Sequence, residues 1–214
     1  MIVIGIVGGV GAGKSYVASL FGKLGAVVVD ADRIGHEVLN DPSIRCQLQS
    51  LFGMEIVAAT GEVDRKRLAH LVFGAETEHA NRLQQLESVT HPEIEKRLRN
   101  KLDELRARGV VAAVLDAAVM MRTGWHRVCD VLVFVEADEE TRWSRVASRG
   151  WNREEWEFRE SRQTSLVDAK SACRWAILNG GQVSPSPWDQ VNLIWERLGL
   201  GDRHHADQPE VIFE

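Results

Sequence analysis

The sequence predicts an α/β fold in which a parallel five-stranded sheet is flanked by helices. Two observations support this prediction. Short apolar runs with the length of buried strands recur along the chain, and stretches with helical periodicity separate them. Strands that alternate with helices imply a parallel sheet covered on both faces. The predicted strands are residues 2–7, 26–29, 110–115, 131–135 and 175–178.

The bulk composition is that of an ordinary globular domain, and it excludes several classes of protein. With 44% hydrophobic and 27% charged residues, the 214-residue chain can form one core domain with insertions. Its net charge of −5 lacks the basic footprint of a nucleic-acid-binding protein. The apolar N-terminal run is much shorter than the roughly 20 residues that cross a membrane. The three cysteines show no paired spacing. These features predict a cytoplasmic protein with no nucleic-acid or membrane partner, and they leave its oligomeric state open.

A glycine-rich loop, G-x-x-x-x-G-K-S at residues 8–15, directly follows the first predicted strand. Glycines let such a loop curl around phosphates with its N–H groups pointing inward, and the helix predicted at 15–24 directs its positive end at the same anion. In this motif the Lys14 ammonium reaches the β- and γ-phosphates, and the Ser15 hydroxyl ligates Mg²⁺. The pattern predicts a P-loop NTPase. The residues expected to line the nucleotide site are Gly9, Gly11, Ala12, Gly13, Lys14, Ser15 and Tyr16.

Aspartates at the carboxyl ends of the predicted strands are candidates for phosphoryl-transfer chemistry, because ligands of such sheets lie beyond those ends. Asp30 and Asp32 follow the second strand, and on an extended backbone both carboxylates point to the same side. One is expected to orient an acceptor hydroxyl and accept its proton, and the other to serve the Mg²⁺ shell. The alternative for Asp32 is the N-cap of the following helix. Asp116 follows the third strand in the manner of a Walker B aspartate, and we expect it to hold Mg²⁺ together with Ser15.

The sequence pattern divides the chain into a core with two added segments and a tail. Residues of about 35–108 form a helical insertion expected to hold the second substrate, and within it Pro92 is predicted to open a new helix. Arginines are dense at about 141–163, which favours a mobile lid that closes over phosphates; the alternative is a solvated helical hairpin with ion pairs. The tail 201–214 has no periodicity and is predicted to be disordered. The core segments are 1–34, 109–140 and 164–200.

Several further motifs follow the P-loop in a specific order. They are Asp30-Ala31-Asp32, Gly61-Glu62-Val63-Asp64-Arg65, His91-Pro92, Arg159 with Gln163, and Asn179 with Gly181. In this order they resemble the dephospho-CoA kinase family, over residues of about 2–181. The P-loop alone occurs in many NTPases, whereas the combination is much more specific.

The resemblance implies ATP-dependent phosphorylation of the ribose 3′-hydroxyl of dephospho-CoA, with Mg²⁺ as cofactor. It also implies a body made of a P-loop core, a helical CoA-binding insertion and a lid. The implied residues are Asp32 as the base with Asp30 and Lys14 as further catalytic candidates, Arg65 and His91 on the CoA side, and Arg145 and Asn179 near ATP.

The chain departs from the family pattern on the acceptor side. Tyr16 stands where the family usually has threonine. After Asp116 the family usually continues x-Pro-Leu-Leu-Phe-Glu; here residues 117–122 carry no proline, and Arg122 occupies the glutamate position. Two alternatives therefore stay open: another small-molecule or nucleotide kinase of the P-loop fold, and a catalytically impaired nucleotide-binding relative.

Overall fold

The computed structural model describes residues 1–73, 77–161, 163–181 and 183–201. Apart from Gly201, the tail 201–214 lies outside the described residues, and so does the prediction made for it. The chain divides into two compact units. The first comprises residues 1–29 and the described residues from Arg108 to Gly201, and the second comprises the described residues of Asp30–Ala107.

A five-stranded sheet forms the centre of the first unit. Its strands are β1 Ile2–Val7, β2 Val27–Asp30, β3 Ala112–Asp116, β4 Val131–Glu136 and β5 Trp175–Leu178. Their order is β2-β3-β1-β4-β5; β1 pairs in parallel with β3 and β4, and β4 pairs in parallel with β5. The predicted α/β fold with a parallel sheet is confirmed.

The apolar runs became strands because both faces of the sheet are covered. Ile4, Val114, Val133 and Ile177 are completely buried, as is Phe21 on the helix that follows β1. Burial of such side chains is the main favourable contribution to folding, at about 25 cal/mol per Å² of apolar surface. The continuous apolar sequence of each central strand is therefore explained by its position inside the first unit.

The sequence-based prediction ends three of the strands one residue too early. Asp30, Asp116 and Glu136 were expected just after β2, β3 and β4, yet each is the last residue of its strand. The difference arises because the strand ladder uses backbone groups, which continue past the end of the apolar run. The carboxylates therefore belong to the strand ends themselves.

Helices surround the sheet in the first unit and make up most of the second. The described helices are α1 Lys14–Lys23, α2 Ala31–Leu39, α3 Pro42–Phe52, α4 Arg65–Val72, α5 Thr77–Ala107, α6 Met120–Thr123, α7 Glu139–Ala147, α8 Arg153–Ser161, α9 Leu166–Ser171 and α10 Pro187–Arg197. Short turns of 3₁₀ helix lie at Met54–Ile56 and Trp125–Val128. In the described ranges, no helix is long and apolar enough to cross a membrane.

Short polar side chains set the first residue of many helices by accepting hydrogen bonds from the free backbone N–H groups there. Asp41, just before α3, accepts from the N–H of Ser43 in that helix. Asp138, just before α7, accepts from the N–H of Thr141. Ser186 and Asp189 form a reciprocal capping box at the start of α10. The helix boundaries are thus encoded locally.

The second unit is helical, as expected, but one prediction within it is wrong. Pro92 does not open a new helix: α5 continues through it from Thr77 to Ala107. Proline inside a helix costs about 3 kcal/mol, since it removes a hydrogen bond and crowds the preceding turn. Here α5 packs against α2, α3 and α4. Its buried stripe runs through both sides of Pro92, from Leu83 to Leu105, and this packing offsets the penalty.

Candidate functional site

The glycine-rich loop lies between the end of β1 and the start of α1. The backbone of Gly11 and Gly13 is left-handed, with φ of +85° and +91°, conformations that favour glycine. Gly13 is the N-cap of α1, and its carbonyl accepts the first helical hydrogen bond, from the N–H of Val17 at 3.1 Å. Free N–H groups and the positive end of the helix dipole therefore meet at this loop, an arrangement suited to phosphate.

Lys14 is the first residue of α1 and turns back along the loop. Its Nζ donates to the carbonyl oxygens of Gly8 at 2.9 Å and Gly9 at 3.0 Å. Ser15 and Tyr16 follow in the first turn, and both are exposed. The structure thus brings the predicted lysine and hydroxyl to the same end of α1.

Arg145 and Asn179 join the loop from α7 and from the end of β5. The Nδ2 group of Asn179 donates to the carbonyl oxygen of Ala12 at 2.8 Å, and the Nη1 group of Arg145 donates to the same oxygen at 3.1 Å. Arg145 Nη2 also donates to the backbone oxygen of Asn179 at 2.7 Å. Asn179 is buried. The two residues implied for the nucleotide side are therefore bonded to the P-loop and to each other.

Close packing explains why the loop needs glycines beyond its turn geometry. A Cβ atom on Gly11 would lie 3.0 Å from the carbonyl carbon and 3.1 Å from the Cα of Arg142 in α7. A Cβ atom on Gly13 would collide with the side-chain amide of Asn179. The backbone of α7 and the Asn179 side chain therefore approach the loop to a distance that only glycine permits.

Asp116 ends the strand next to the loop. In the sheet register it lies opposite Ile6 of β1, near the start of the P-loop at Gly8. Its carboxylate and the Ser15 hydroxyl are hard oxygen donors, which Mg²⁺ prefers. Among the described residues no group of three or more His, Cys, Asp or Glu could hold a metal. A site with one or two protein ligands fits Mg²⁺, which takes its remaining ligands from phosphates and water.

Glu136, at the end of β4, has a structural partner. Its carboxylate accepts from the ammonium of Lys170 at 2.7 and 2.8 Å, and its backbone oxygen accepts from the N–H of Asn179 at 2.7 Å. Glu136 thereby connects α9 to the end of β5. The backbone carbonyl of this residue therefore supports the position of Asn179, while its carboxylate binds Lys170.

Two parts of the prediction for Asp30 and Asp32 are wrong. Asp30 is the N-cap of α2: its Oδ1 accepts from the N–H groups of Asp32 at 2.9 Å and Arg33 at 3.0 Å. Asp32 therefore is not the cap, because it lies inside the first turn. The two carboxylates also do not share one face of a strand, since Asp30 ends β2 and Asp32 is helical. Asp32 is exposed at the N-terminal end of α2, where a carboxylate is favourable.

In the second unit, Arg65 meets a residue that sequence reasoning missed. Arg65 opens α4 after its cap Asp64, and its Nη1 contacts the Nε2 of His36 in α2 at 3.0 Å. Since a guanidinium can only donate, His36 Nε2 accepts and its proton resides on Nδ1. His91 lies half-buried in α5. His36 could have been considered as a candidate because it lies in the same helix as Asp32.

The arginine-rich segment combines both sequence interpretations. On the exposed side of α8, Arg153 pairs with Glu157 at 2.8 Å and Arg159 pairs with Glu155 at 3.0 Å, as expected of a solvated hairpin. Arg142 instead is buried and contacts the P-loop, like Arg145. The arginines thus divide into an exposed set and a loop-contacting set. The sequence did not distinguish them.

A cleft beside the loop brings Lys14 together with the segment that departs from the family pattern. Its lining includes Gly8 and Lys14 together with Ala118, Met121 and Arg122. Gln163, also in the lining, donates from Nε2 to the carbonyl oxygen of Ala118 at 3.3 Å. This segment is therefore part of the wall of the cleft that contains the lysine.

A second, open cleft lies on the α7 side and includes Asp138, Thr141, Ser144, Arg145 and Gly181. The backbone N–H and hydroxyl of Thr141 both donate to Asp138, and these hydrogen bonds lower the pKa of its carboxyl. The lining of this cleft is thus polar and contains Arg145 together with the carboxylates of Asp138 and Glu140.

Comparisons with known proteins agree with these features. A family model described as dephospho-CoA kinase matches residues 2–184. The dephospho-CoA kinase of Dehalococcoides mccartyi is 35% identical over 156 residues, which are 72% of this chain and 77% of the relative. That of Rhodopirellula baltica is 35% identical over 179 residues, 84% of this chain and 83% of the relative.

A solved structure has a similar fold. The crystal structure of a Thermus thermophilus protein aligns with a TM-score of 0.75 and 30% sequence identity, and the alignment covers 92% of this chain and 96% of that chain. The P-loop geometry, the sheet order and the family match point in one direction. The chain belongs to the dephospho-CoA kinase family.

Proposed function

We propose that this chain transfers the γ-phosphoryl group of ATP to the ribose 3′-hydroxyl of dephospho-CoA, which gives coenzyme A and ADP. The observation that carries the proposal is the P-loop with Lys14 at the start of α1, in a chain that the family model matches over residues 2–184. Phosphoryl transfer depends mainly on positioning and on neutralisation of charge, and this loop supplies both.

On the nucleotide side, the proposed roles follow from the groups present. The loop N–H groups and the Lys14 ammonium bind the β- and γ-phosphates, while Arg145 and Asn179 keep the loop backbone in place. Ser15 and Asp116 are the proposed protein ligands of Mg²⁺. The bound ion would neutralise phosphate charge during transfer.

On the acceptor side, we propose that Asp32 orients the 3′-hydroxyl and accepts its proton, while Asp30 fixes the start of α2. Arg65 and His91 are the proposed contacts for dephospho-CoA, which places acceptor binding in the second unit. The segment 141–163 is proposed to act as the lid, which covers the phosphates while its Arg142, Arg145, Trp156 and Glu160 stay in contact with the P-loop. We also propose a cytoplasmic location, consistent with the finding that no described helix could span a membrane.

The test is release of ADP from Mg²⁺-ATP, measured with and without dephospho-CoA. ADP release is expected to depend on dephospho-CoA. Lys14→Ala is expected to reduce turnover by about 10²–10³-fold, the scale of losing one electrostatic stabiliser of the transition state. Lys23→Ala is the matched control, because Lys23 is exposed in the last turn of the same helix. Turnover by a folded Lys14→Ala protein equal to that of Lys23→Ala would contradict the proposal.

A second candidate is a P-loop kinase with another acceptor. The observation that favours it is the departing segment, which brings Arg122 to the cleft lined by Lys14. A panel of small-molecule and nucleotide acceptors in the same assay separates the two, since the second candidate predicts ADP release with an acceptor other than dephospho-CoA. ATP binding without ADP release for any acceptor would indicate a catalytically impaired relative.

A further inference from the structure

We propose that Glu160 and Trp156 of α8 are positioning residues for the P-loop. They hold Val10 through its backbone N–H and its carbonyl oxygen. The N–H of Val10 donates to Glu160 Oε2 at 3.0 Å. The carbonyl oxygen of Val10 accepts from Trp156 Nε1 at 3.3 Å. Both polar atoms of this residue are thus bound by one helix that lies about 150 positions away in the sequence.

Arg142 of α7 joins Glu160 and Trp156, and we call these three residues the clamp. The guanidinium of Arg142 balances the charge of Glu160. Its Nη1 pairs with Glu160 Oε1 and lies 3.4 Å from the carbonyl oxygen of Val10. The guanidinium also packs 5.3 Å from the centre of the Trp156 ring. Because Arg142 neutralises Glu160, a carboxylate can bind the loop without opposing the phosphates that the loop receives.

The clamp acts on a residue that lies between two glycines of the loop. Val10 is flanked by Gly9 and Gly11, and glycines lose more conformational freedom on ordering than other residues. A Cβ atom on Gly9 would lie 2.6 Å from Arg142 Nη1 and 3.2 Å from Glu160 Oε1, so the side chains of the clamp pack closely against the loop backbone. With Val10 held from outside, the N–H groups intended for phosphate are ordered before the nucleotide arrives.

The burial of the clamp makes it sensitive to small changes. Trp156 is 2% exposed, and the side chain of Arg142 is 8% exposed. Within the described part of the chain, Arg142 Nε has no hydrogen-bond acceptor, so Glu160 is an important partner of a buried cation. Loss of the Glu160 charge would leave that cation poorly compensated, and the loop would lose its fixed position.

This inference rests on the proposed ATP site, and the test separates the two. Calorimetric titration with ATP is carried out on the parent protein, Glu160→Gln, Trp156→Phe and Glu154→Gln. Glu154 is an exposed carboxylate in the first turn of the same helix, so its variant has the same change in net charge away from the clamp. Trp156→Phe removes the Nε1 donor and keeps an aromatic ring, which provides a second variant if Glu160→Gln does not fold.

We expect the Kd and the KM for ATP to rise about tenfold in Glu160→Gln, the scale of one hydrogen bond to a charged group, and a few-fold in Trp156→Phe. The KM for dephospho-CoA and the affinity of Glu154→Gln for ATP should stay at the parent values. This split between the two KM values would not follow from general destabilisation.

Three results would overturn this proposal. They are unchanged ATP affinity in the folded variants, tighter ATP binding by Glu160→Gln, and an equal rise in the KM for ATP and the KM for dephospho-CoA together with a lower thermal midpoint. Tighter binding would mean that the carboxylate opposes the phosphates. If the parent protein itself fails to bind ATP, the proposed function fails first, which distinguishes the two failures.

Discussion

Replacement of Gly11 by alanine tests whether the P-loop depends on its close packing against α7, and Gly25→Ala provides a matched control. Both glycines have left-handed backbones, with φ of +85° and +100°. Each alanine therefore incurs a conformational cost of about 1–2 kcal/mol. Only at Gly11 would the new Cβ meet backbone atoms, 3.0 and 3.1 Å away in Arg142; at Gly25 no described atom lies within 4 Å.

The difference between the two variants isolates the packing term. Overpacking adds about 1–3 kcal/mol, so Gly11→Ala should lose about 2–5 kcal/mol of stability in total. Each kcal/mol corresponds to a fall of roughly 2–4 °C in the thermal midpoint for a chain of this size. Because the backbone of α7 is held in a helix, the loop must shift instead, and the Kd for ATP should rise at least about tenfold, equivalent to about 1.4 kcal/mol.

The assay combines thermal unfolding with calorimetric titration of ATP. Gly25→Ala should lose stability and bind ATP like the parent protein, whereas Gly11→Ala should lose more stability and bind ATP weakly. If both folded variants bind ATP equally well, the close approach of α7 to the loop has no role in nucleotide binding, and the reasoning is refuted.

Three further predictions concern other residues. Asp32→Asn should reduce kcat by about 10²–10⁴-fold, because the base is lost. Asp30→Asn is the comparison, since asparagine caps a helix as well as aspartate does. A normal kcat for Asp32→Asn in steady-state assays would exclude Asp32 as the base. Arg65→Ala should raise the KM for dephospho-CoA far more than that for ATP in the same assays, and a rise confined to ATP would show that the substrates are reversed. Partial burial raises the pKa of the Cys129 thiol to about 12, so at pH 8 this thiol is protonated and half-buried. Mass spectrometry after alkylation should therefore find exposed Cys46 modified first, and equal labelling of the two thiols would contradict this prediction.

The fold and the P-loop could be predicted because their signals are local in the sequence. The apolar run of β1, the glycines and Lys14 follow one another within one strand, one loop and one helix, and each supports the same interpretation. The strand ends were shifted at Asp116 because apolar character stops before backbone pairing does. Local patterns therefore identify elements better than they identify element boundaries.

The contacts across the P-loop could not be predicted because they depend on side chains far apart in the chain. Glu160 and Arg142 resemble the other charged residues of an arginine-rich hairpin in sequence, yet Arg142 is buried, Glu160 is half-buried, and both bond to Val10. The Pro92 prediction failed for a related reason, since packing of both halves of α5 outweighs the local preference to end a helix. The cap lies at Asp30 and not at Asp32 because α2 begins at Ala31, two residues earlier than the pattern suggested.

The central claim is most directly tested by following the transferred phosphorus atom. Phosphorus NMR of a reaction with Mg²⁺-ATP and dephospho-CoA should show ADP and an equal amount of a new phosphomonoester on the ribose 3′-oxygen. Both signals should grow about 10²–10³-fold more slowly in Lys14→Ala. ADP without the new phosphomonoester, or a phosphomonoester formed only on some other acceptor, would contradict the account.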